Sequence, residues 1–251
     1  PLYFTVISSL KEDAEIWEGL IALPRKFLFE NYIFANNVAN IVKCTMNSIL
    51  LSIGSIIIML ICVIPASYVL ARKKLRFSAA ISTYFLAALM IPIHGALVSI
   101  IQMVNMVGGQ NNYLILMLVY SGINFSMACF IQTGYIRELD KGIDEAAFID
   151  GCSLLQIITR VIVPISKPAI ATVSIVSFLN IYNELPIANV LLTKKGYQTI
   201  SVALLAFKGD YQVKVSWIFA AIVLATIPLV LFYLFCQEYV EKGLMAGAMK
   251  G

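Results

Sequence analysis

The chain reads as an all-α integral membrane protein, and three observations carry that reading. Of 251 residues, 60% are hydrophobic and 13% charged, with a mean hydropathy of +0.88. A soluble domain has about a quarter of its residues charged and under half apolar. Residues 77–136 contain no Asp, Glu, Lys or Arg. A helix crosses the roughly 30 Å hydrocarbon core in about 20 residues, so this run holds two crossings and a turn. Apolar segments recur along nearly the whole chain and leave no room for a separate soluble domain. The balance of 18 Lys and Arg against 14 Asp and Glu, a net +4, is too mild to suggest nucleic acid.

Taken in order, residues 1–10 are apolar but too few to cross, and read as the exit of a first helix whose start precedes this chain. A second span, 49–71, is closed by Arg72-Lys73-Lys74-Leu75-Arg76. Spans follow at 79–105 and 113–136, separated by the turn Gly108-Gly109-Gln110-Asn111-Asn112. The next, 169–192, carries one acid, Glu184, and the last, 217–235, is nearly pure Ile, Val, Leu, Ala and Phe. The expectation is about six helices in a single transmembrane domain over 1–251, with one long connection at 137–168. Four basic residues within 72–76 mark that turn as cytoplasmic. Alternation then places 11–46, 106–112 and 193–215 outside, and 137–168 and 236–251 in the cytoplasm.

Several chemistries are excluded or disfavoured. Cys44, Cys62, Cys129, Cys152 and Cys236 form no C-x-x-C pair or zinc-like spacing, and those in apolar runs act as small hydrophobes. A single histidine, His94, argues against a His-based metal site. No G-x-x-x-x-G-K-[ST] loop occurs, so the chain does not hold ATP by that device. No signal peptide, internal repeat or low-complexity tract is visible.

The 137–168 connection reads as two short helices. Asp144 suits an N-cap, with Glu145 in the first turn, where the helix dipole favours an acid. Gly151 suits the left-handed residue that ends such a helix. Ser153 and Gln156 make an S-x-x-Q capping box, and Leu154, Ile157, Ile158 and Val161 form one apolar face. Pro164 stops the second helix. On pattern alone, this equally describes an interfacial hairpin that merely links two spans.

Polar residues within spans are expensive in lipid and face the bundle interior. Ser174, Ser177, Asn180, Asn183 and Glu184 recur at helical spacing, as do His94, Gln102 and Asn105, and Ser121, Asn124 and Gln132. At 1.5 Å per residue, Glu184 sits roughly 23 Å from the cytoplasmic start of its helix. Substrate sites of transporters lie near the midplane, and neutral amides suit a polyhydroxylated ligand. The competing reading is that these residues knit helices together, and that Glu184 beside Pro186 pins a bend.

Glu145-Ala146-Ala147-x3-Gly151-x9-Val161-x-Val163-Pro164 resembles the E-A-A-x3-G-x9-I-x-L-P signature of ABC importer permeases, with Val in place of Ile and of Leu. Asp144, Ile149-Asp150-Gly151 and Ser166-Lys167-Pro168-Ala169 are similar to the carbohydrate branch. So is the tail, Gly243-x3-Gly247-Ala248-x-Lys250-Gly251, which resembles the ending of MalG-like permeases. Phe178, Asn183 and Glu184 match that branch's F-x-x-x-W-N-[DE] stretch, with Tyr182 for Trp, and Ser8-Ser9-Leu10-Lys11 resembles its first-helix exit.

The resemblance implies a type I ABC importer transmembrane domain in the bacterial plasma membrane, a non-catalytic subunit that passes a di- or oligosaccharide inward by alternating access. It implies a coupling helix set into a separate cytosolic ATPase, with Asp144, Glu145, Ala146, Ala147, Asp150, Gly151 and Pro164 at the docking site. Gly247, Lys250 and Gly251 would reach toward the same ATPase, the alternative being a frayed terminus. The implied partners are a second homologous permease, two ATPase copies carrying the ATP and Mg, an extracellular solute-binding protein and membrane lipid. No cofactor or metal is expected on this chain. The substrate path would draw on His94, Gln102, Asn105, Ser121, Asn124, Asn180, Asn183 and Glu184, although in maltose-type systems the partner permease holds most sugar contacts. Two other readings remain: the same machinery with a cargo such as glycerol phosphate, which would call for a base within the spans, and an integral membrane enzyme, for which no nucleophile–base pair is at hand.

Overall fold

A computed structural model describes residues 1–19, 21–73, 77–208 and 213–248, with the side chains of 94, 236 and 238–248 outside the described set. Every regular element among these residues is helical. The first three helices, α1 (Leu2–Ser8), α2 (Asp13–Glu18) and α3 (Glu30–Ala39), precede the long α4 (Ile41–Arg72). Asn40 joins α3 to α4 in the left-handed region at φ 49°, a conformation Asn tolerates because its short side chain bonds locally.

At 32 residues α4 is about 48 Å long. It starts about two turns before the expected span because its first polar residues are satisfied by the chain that returns at 196–200. Asn47 Nδ2 donates to the carbonyls of Gly196 and Gln198 at 3.0 and 2.9 Å, and Ser48 Oγ accepts from Ile200 N at 2.8 Å. The buried face of α4 carries Ser48, Leu51, Ser52, Ser55, Met59, Val63 and Ser67. Small hydroxyl residues let backbones approach closely without a large apolar side chain between them. The neighbour they admit is α7 (Tyr113–Glu138), and Ser121 Oγ donates across to Ser55 O at 2.8 Å.

Between them the chain does not form the single helix expected over 79–105. It makes α5 (Ser78–Leu89), a 3-10 turn (Ile93–Ala96) and α6 (Leu97–Met106). Pro92 is the cause: it has no N–H to give a helix, and it biases Ile91 away from the helical region. At 12 and 10 residues, α5 and α6 are each too short to cross alone. The turn that follows contains Gly109, where a Cβ would lie 2.8 Å from Val104 and Ile115, so the close approach there admits only glycine.

Beyond α7 come α8 (Gly142–Ile149), α9 (Leu154–Gln156), a π-helical turn (Ile157–Ile162) and α10 (Val163–Ile165). The chain then bends by 77° into α11 (Lys167–Tyr182). The 169–192 run is also broken: α11 ends at Tyr182, and α12 (Pro186–Leu191) starts anew with Pro186 in its first turn. After α13 (Ile200–Ala203) and a 3-10 turn (Leu204–Phe207), the chain ends in α14 (Val215–Ala248).

Among the described residues, three helical segments are long and apolar enough to cross a membrane, Ile41–Arg72, Tyr113–Glu138 and Val215–Phe235, and the bent Leu154–Tyr182 unit is a fourth. The core lies where α4, α7, α11 and α14 meet. Phe178 of α11 stacks on Phe232 of α14 at 3.9 Å and on Tyr182 at 5.5 Å. The Tyr182 hydroxyl donates to Ala225 O at 2.9 Å, which ties the end of α11 to α14. At that end of the bundle Asp13 receives Val215 N, Ser216 N and Ser216 Oγ at 2.9, 3.0 and 2.6 Å. It caps α14 from a distant part of the chain.

Candidate functional site

Two places bring the expected residues together. The first is the α8–α10 hairpin at the Arg72 end of the bundle. Its helix starts earlier than Asp144: α8 begins at Gly142, whose N–H donates to Asp140 Oδ1 at 2.9 Å. The expected N-cap role of Asp144 is therefore not what is found. Its side chain instead turns inward, and its Oδ2 lies 2.8 Å from Arg72 Nε. Neither atom makes a well-aligned hydrogen bond, so this is a charge contact.

The end of α8 follows the sequence closely. Gly151 sits at φ +80°, its N–H donates to Phe148 O at 3.0 Å, and Cys152 N donates to Ala147 O at 3.0 Å. Those two bonds form a complete Schellman motif. Ser153 and Gln156 make both bonds of the capping box. Pro164 does not stop the second helix. The carbonyls before it are drawn into a π turn, and helix continues to Ile165. A π turn bonds i to i+5, so the buried face becomes Ile157, Ile158 and Ile162, whereas Leu154 is exposed and Val161 only half-buried. Ala147 is buried against this face.

What the hairpin presents outward is unusual for a polar boundary. Glu145, Ala146, Asp150 and Gly151 are exposed, and Phe148 and Ile149 are 74% and 83% exposed. Beside them is a hollow of about 540 Å³ lined by Tyr68, Lys73, Asp144, Glu145, Phe148 and Leu154. Exposed apolar side chains around a concavity mark a surface that is covered by something else.

The second place is a cavity of about 400 Å³ where the two helix breaks face each other. Asn124 of α7 and Asn180, Asn183 and Glu184 at the end of α11 line it, together with Ile93 and Leu97 from the α5–α6 break. Asn180 Nδ2 donates to Asn124 Oδ1 at 3.3 Å. Glu184 Oε1 accepts from Ile187 N at 2.7 Å, and its Oε2 from Ala188 N at 2.9 Å and Tyr120 Oη at 2.6 Å. A carboxylate at a helix N-terminus satisfies orphan N–H groups and complements the dipole. Glu184 thus holds the start of α12 while forming part of the cavity wall.

The other expected residues are elsewhere. Ser121 is bonded to α4, and Gln102 and Asn105 are exposed on α6, outside the cavity. His94 does not share α6 with them, because it lies in the 3-10 turn; its side chain is outside the described residues. Gly247 falls within α14, and Lys250 and Gly251 are outside the described residues. Tyr120 was not singled out by sequence, although it stands four residues before Asn124 on the same helical face. A further hollow of about 460 Å³ at the opposite end, lined by Asn40, Asn189 and Gln198 among others, gathers none of the expected residues.

Known proteins bear on both places. The family model described as binding-protein-dependent transport system inner membrane component matches residues 63–245, which include the hairpin and the cavity. The melibiose/raffinose/stachyose import permease protein MelC of Bacillus subtilis is 29% identical over all of this chain and 91% of its own length. The probable starch degradation products transport system permease protein AmyC of Thermoanaerobacterium thermosulfurigenes is 26% identical over the same shares. The trehalose/maltose transport system permease protein MalG of Thermococcus litoralis is 31% identical over 74% of this chain and 67% of its own. In fold, the chain superposes on a bacterial ABC transporter involved in import of the acidic polysaccharide alginate with a TM-score of 0.83, at 20% identity, covering 96% of this chain and 90% of that one. The chain belongs to the binding-protein-dependent transport system inner membrane components, the multi-pass permeases of ABC importers.

Proposed function

We propose that this chain is the translocation subunit of an ATP-driven importer for a neutral di- or oligosaccharide, coupled to its ATPase through α8. The observation that carries this reading is the capped end of α8 beside a hollow, with Phe148 and Ile149 turned out of the protein. Glu145 and Ala146 complete that surface, one supplying a charge and the other room for close approach. The small exposed Gly151 allows backbone contact, with the exposed Asp150 beside it. A separate ATPase, in two copies and holding ATP and Mg, would push on this surface. A homologous second permease would complete the path, and an extracellular binding protein would deliver the solute.

The choice of sugar rests on the cavity. Asn124, Asn180 and Asn183 offer neutral donors and acceptors, and among the described lining residues there is no base to hold a phosphate. The curated relatives named above are named for starch products, raffinose-type sugars and maltose or trehalose. The test is purification of the complex in mild detergent, followed by ATP hydrolysis with and without binding protein and oligosaccharides. Hydrolysis stimulated by one sugar supports the reading. A chain that purifies without any ATPase overturns it.

A further inference from the structure

The Arg72 guanidinium lies where three helix ends converge. Its Nε is 2.8 Å from Asp144 Oδ2 on α8. Its Nη1 donates to Leu139 O at 2.9 Å and its Nη2 to Asp140 O at 3.3 Å, at the end of α7. Arg137 returns the contact, its Nη2 reaching Leu70 O of α4 at 3.5 Å. Tyr68 lines the same hollow as Asp144. The Arg72 and Asp144 side chains are only 6% and 15% exposed, so the pair is shielded from the water that weakens surface ion pairs.

Each charge is matched to its helix end: a cation at the C-termini of α4 and α7, and an anion in the first turn of α8. Apart from the chain connection itself, the described contacts of α8 are with the π turn and the hydrophobic cluster of Tyr68, Ile136 and Ile158. Such apolar contacts resist separation but are non-directional. The two carbonyl bonds of Arg72 are directional, and the ion pair adds a short, shielded attraction to α8 itself. The opposite end of α4 is fastened as well, through Asn47 and Ser48, to the 196–200 segment. One unbroken helix therefore joins α8 to the far face.

We propose that Arg72 is a positioning residue for coupling: by pairing with Asp144 it keys α8 to α4 and α7, so that movement of α8 is delivered to the membrane-spanning helices. This rests on the function proposed above. A merely structural role predicts loss of stability on mutation, whereas replacing both members of a shielded ion pair by apolar residues is often neutral or stabilising. The discriminating variant is thus the double Arg72→Met, Asp144→Leu, with Arg72→Lys as the conservative control.

In proteoliposomes containing the whole transporter, ATP hydrolysis by the double variant is measured alongside solute uptake, so that the readout is their ratio. Solute moved per ATP should fall at least tenfold, and Arg72→Lys should recover most of it. Spin labels at Lys73 and Asp150, in a cysteine-free background, should give a narrow distance distribution in wild type and a broad one in the double variant. Normal uptake per ATP in the double variant would overturn the proposal, as would an unchanged distance distribution. Arg72→Lys behaving like the double variant would do the same. The distance measurement needs no ATPase, so absence of an ATPase from the complex contradicts the function proposed above and not this joint.

Discussion

α4 and the α11–α12 unit pack against each other in the core and are built on opposite plans. α4 runs unbroken for 32 residues even through Pro65. It meets its neighbours through buried serines and is fastened by side-chain bonds at both ends. The α11–α12 unit bends by 77° where it begins and breaks again at 183–185. Its polar groups lie at the break, where backbone N–H groups released from helix are collected by Glu184. Irregular backbone at membrane depth is tolerated where it is buried in protein or lines a water-filled cavity. The contrast separates the two tasks of a permease: the continuous helix is suited to carry displacement, and the broken one to present polar groups within an apolar bundle.

The strongest way to break that contrast is at Glu184. Glu184→Ala leaves two N–H groups and the Tyr120 hydroxyl without their acceptor, and is expected to destabilise the protein by about 3 kcal/mol. Glu184→Gln keeps an acceptor at the start of α12 and should recover more than half of that. Thermal unfolding in detergent checks both. An alanine variant as stable as wild type would mean the break is held by packing alone.

The next effect is at Gly151. Gly151→Asp places a side chain at φ +80°, a cost of about 1–2 kcal/mol, although nothing within 4 Å obstructs a Cβ. The variant should remain in the membrane yet lose solute uptake, because the side chain projects from the exposed docking surface. Uptake at the wild-type rate would show Gly151 to be a helix stop and nothing more.

How far the sequence foretold this comparison differs along the chain. The uncharged 77–136 run, the left-handed Gly151 and the Ser153–Gln156 capping box were legible because each depends on residues close in sequence. The break at Pro92 was not, since hydropathy reports only that a segment prefers lipid and is blind to whether its helix is continuous; the one at Pro186 was legible only as a bend pinned by Glu184, one of two competing readings. The π turn shifted the buried face by one residue for the same reason: periodicity assumes a fixed number of residues per turn. Asp144 was legible as an acid at a helix start. Its inward turn depends on Arg72, 72 positions earlier, and no local pattern encodes that. Likewise Asn124, Asn180, Asn183 and Glu184 were found as polar residues in apolar runs, whereas Tyr120 was passed over because tyrosine is unremarkable in a membrane helix until its hydroxyl is placed 2.6 Å from a carboxylate.

The smallest effect tests the fastening of α14. Burial pushes the Asp13 carboxyl up, but the Ser216 hydroxyl and the Ser216 and Val215 N–H groups, with Lys214 nearby, outweigh it and hold the group below the usual carboxylate range. A depressed value in the folded state means that this stabilisation is present above the unfolded value of about 3.9 and is lost as pH falls through the folded one. Asp13→Ala should therefore lower stability by about 1 kcal/mol at neutral pH. The gap from wild type should close below about pH 4. A gap that does not change with pH would assign the effect to shape and not to charge.

The most direct test of the central claim, that α8 is the surface through which a separate ATPase drives this permease, is site-specific cross-linking in native membranes. A photoreactive or thiol-reactive probe at Ile149 on α8 is compared with one at Leu118 on α7, 53% exposed on a segment long and apolar enough to cross the membrane. The account predicts that the Ile149 probe captures a subunit that binds and hydrolyses ATP, that the yield changes when ATP is supplied, and that the Leu118 probe captures no ATPase. An Ile149 probe that captures no ATPase, in membranes where the chain is present and solute uptake is intact, would contradict it.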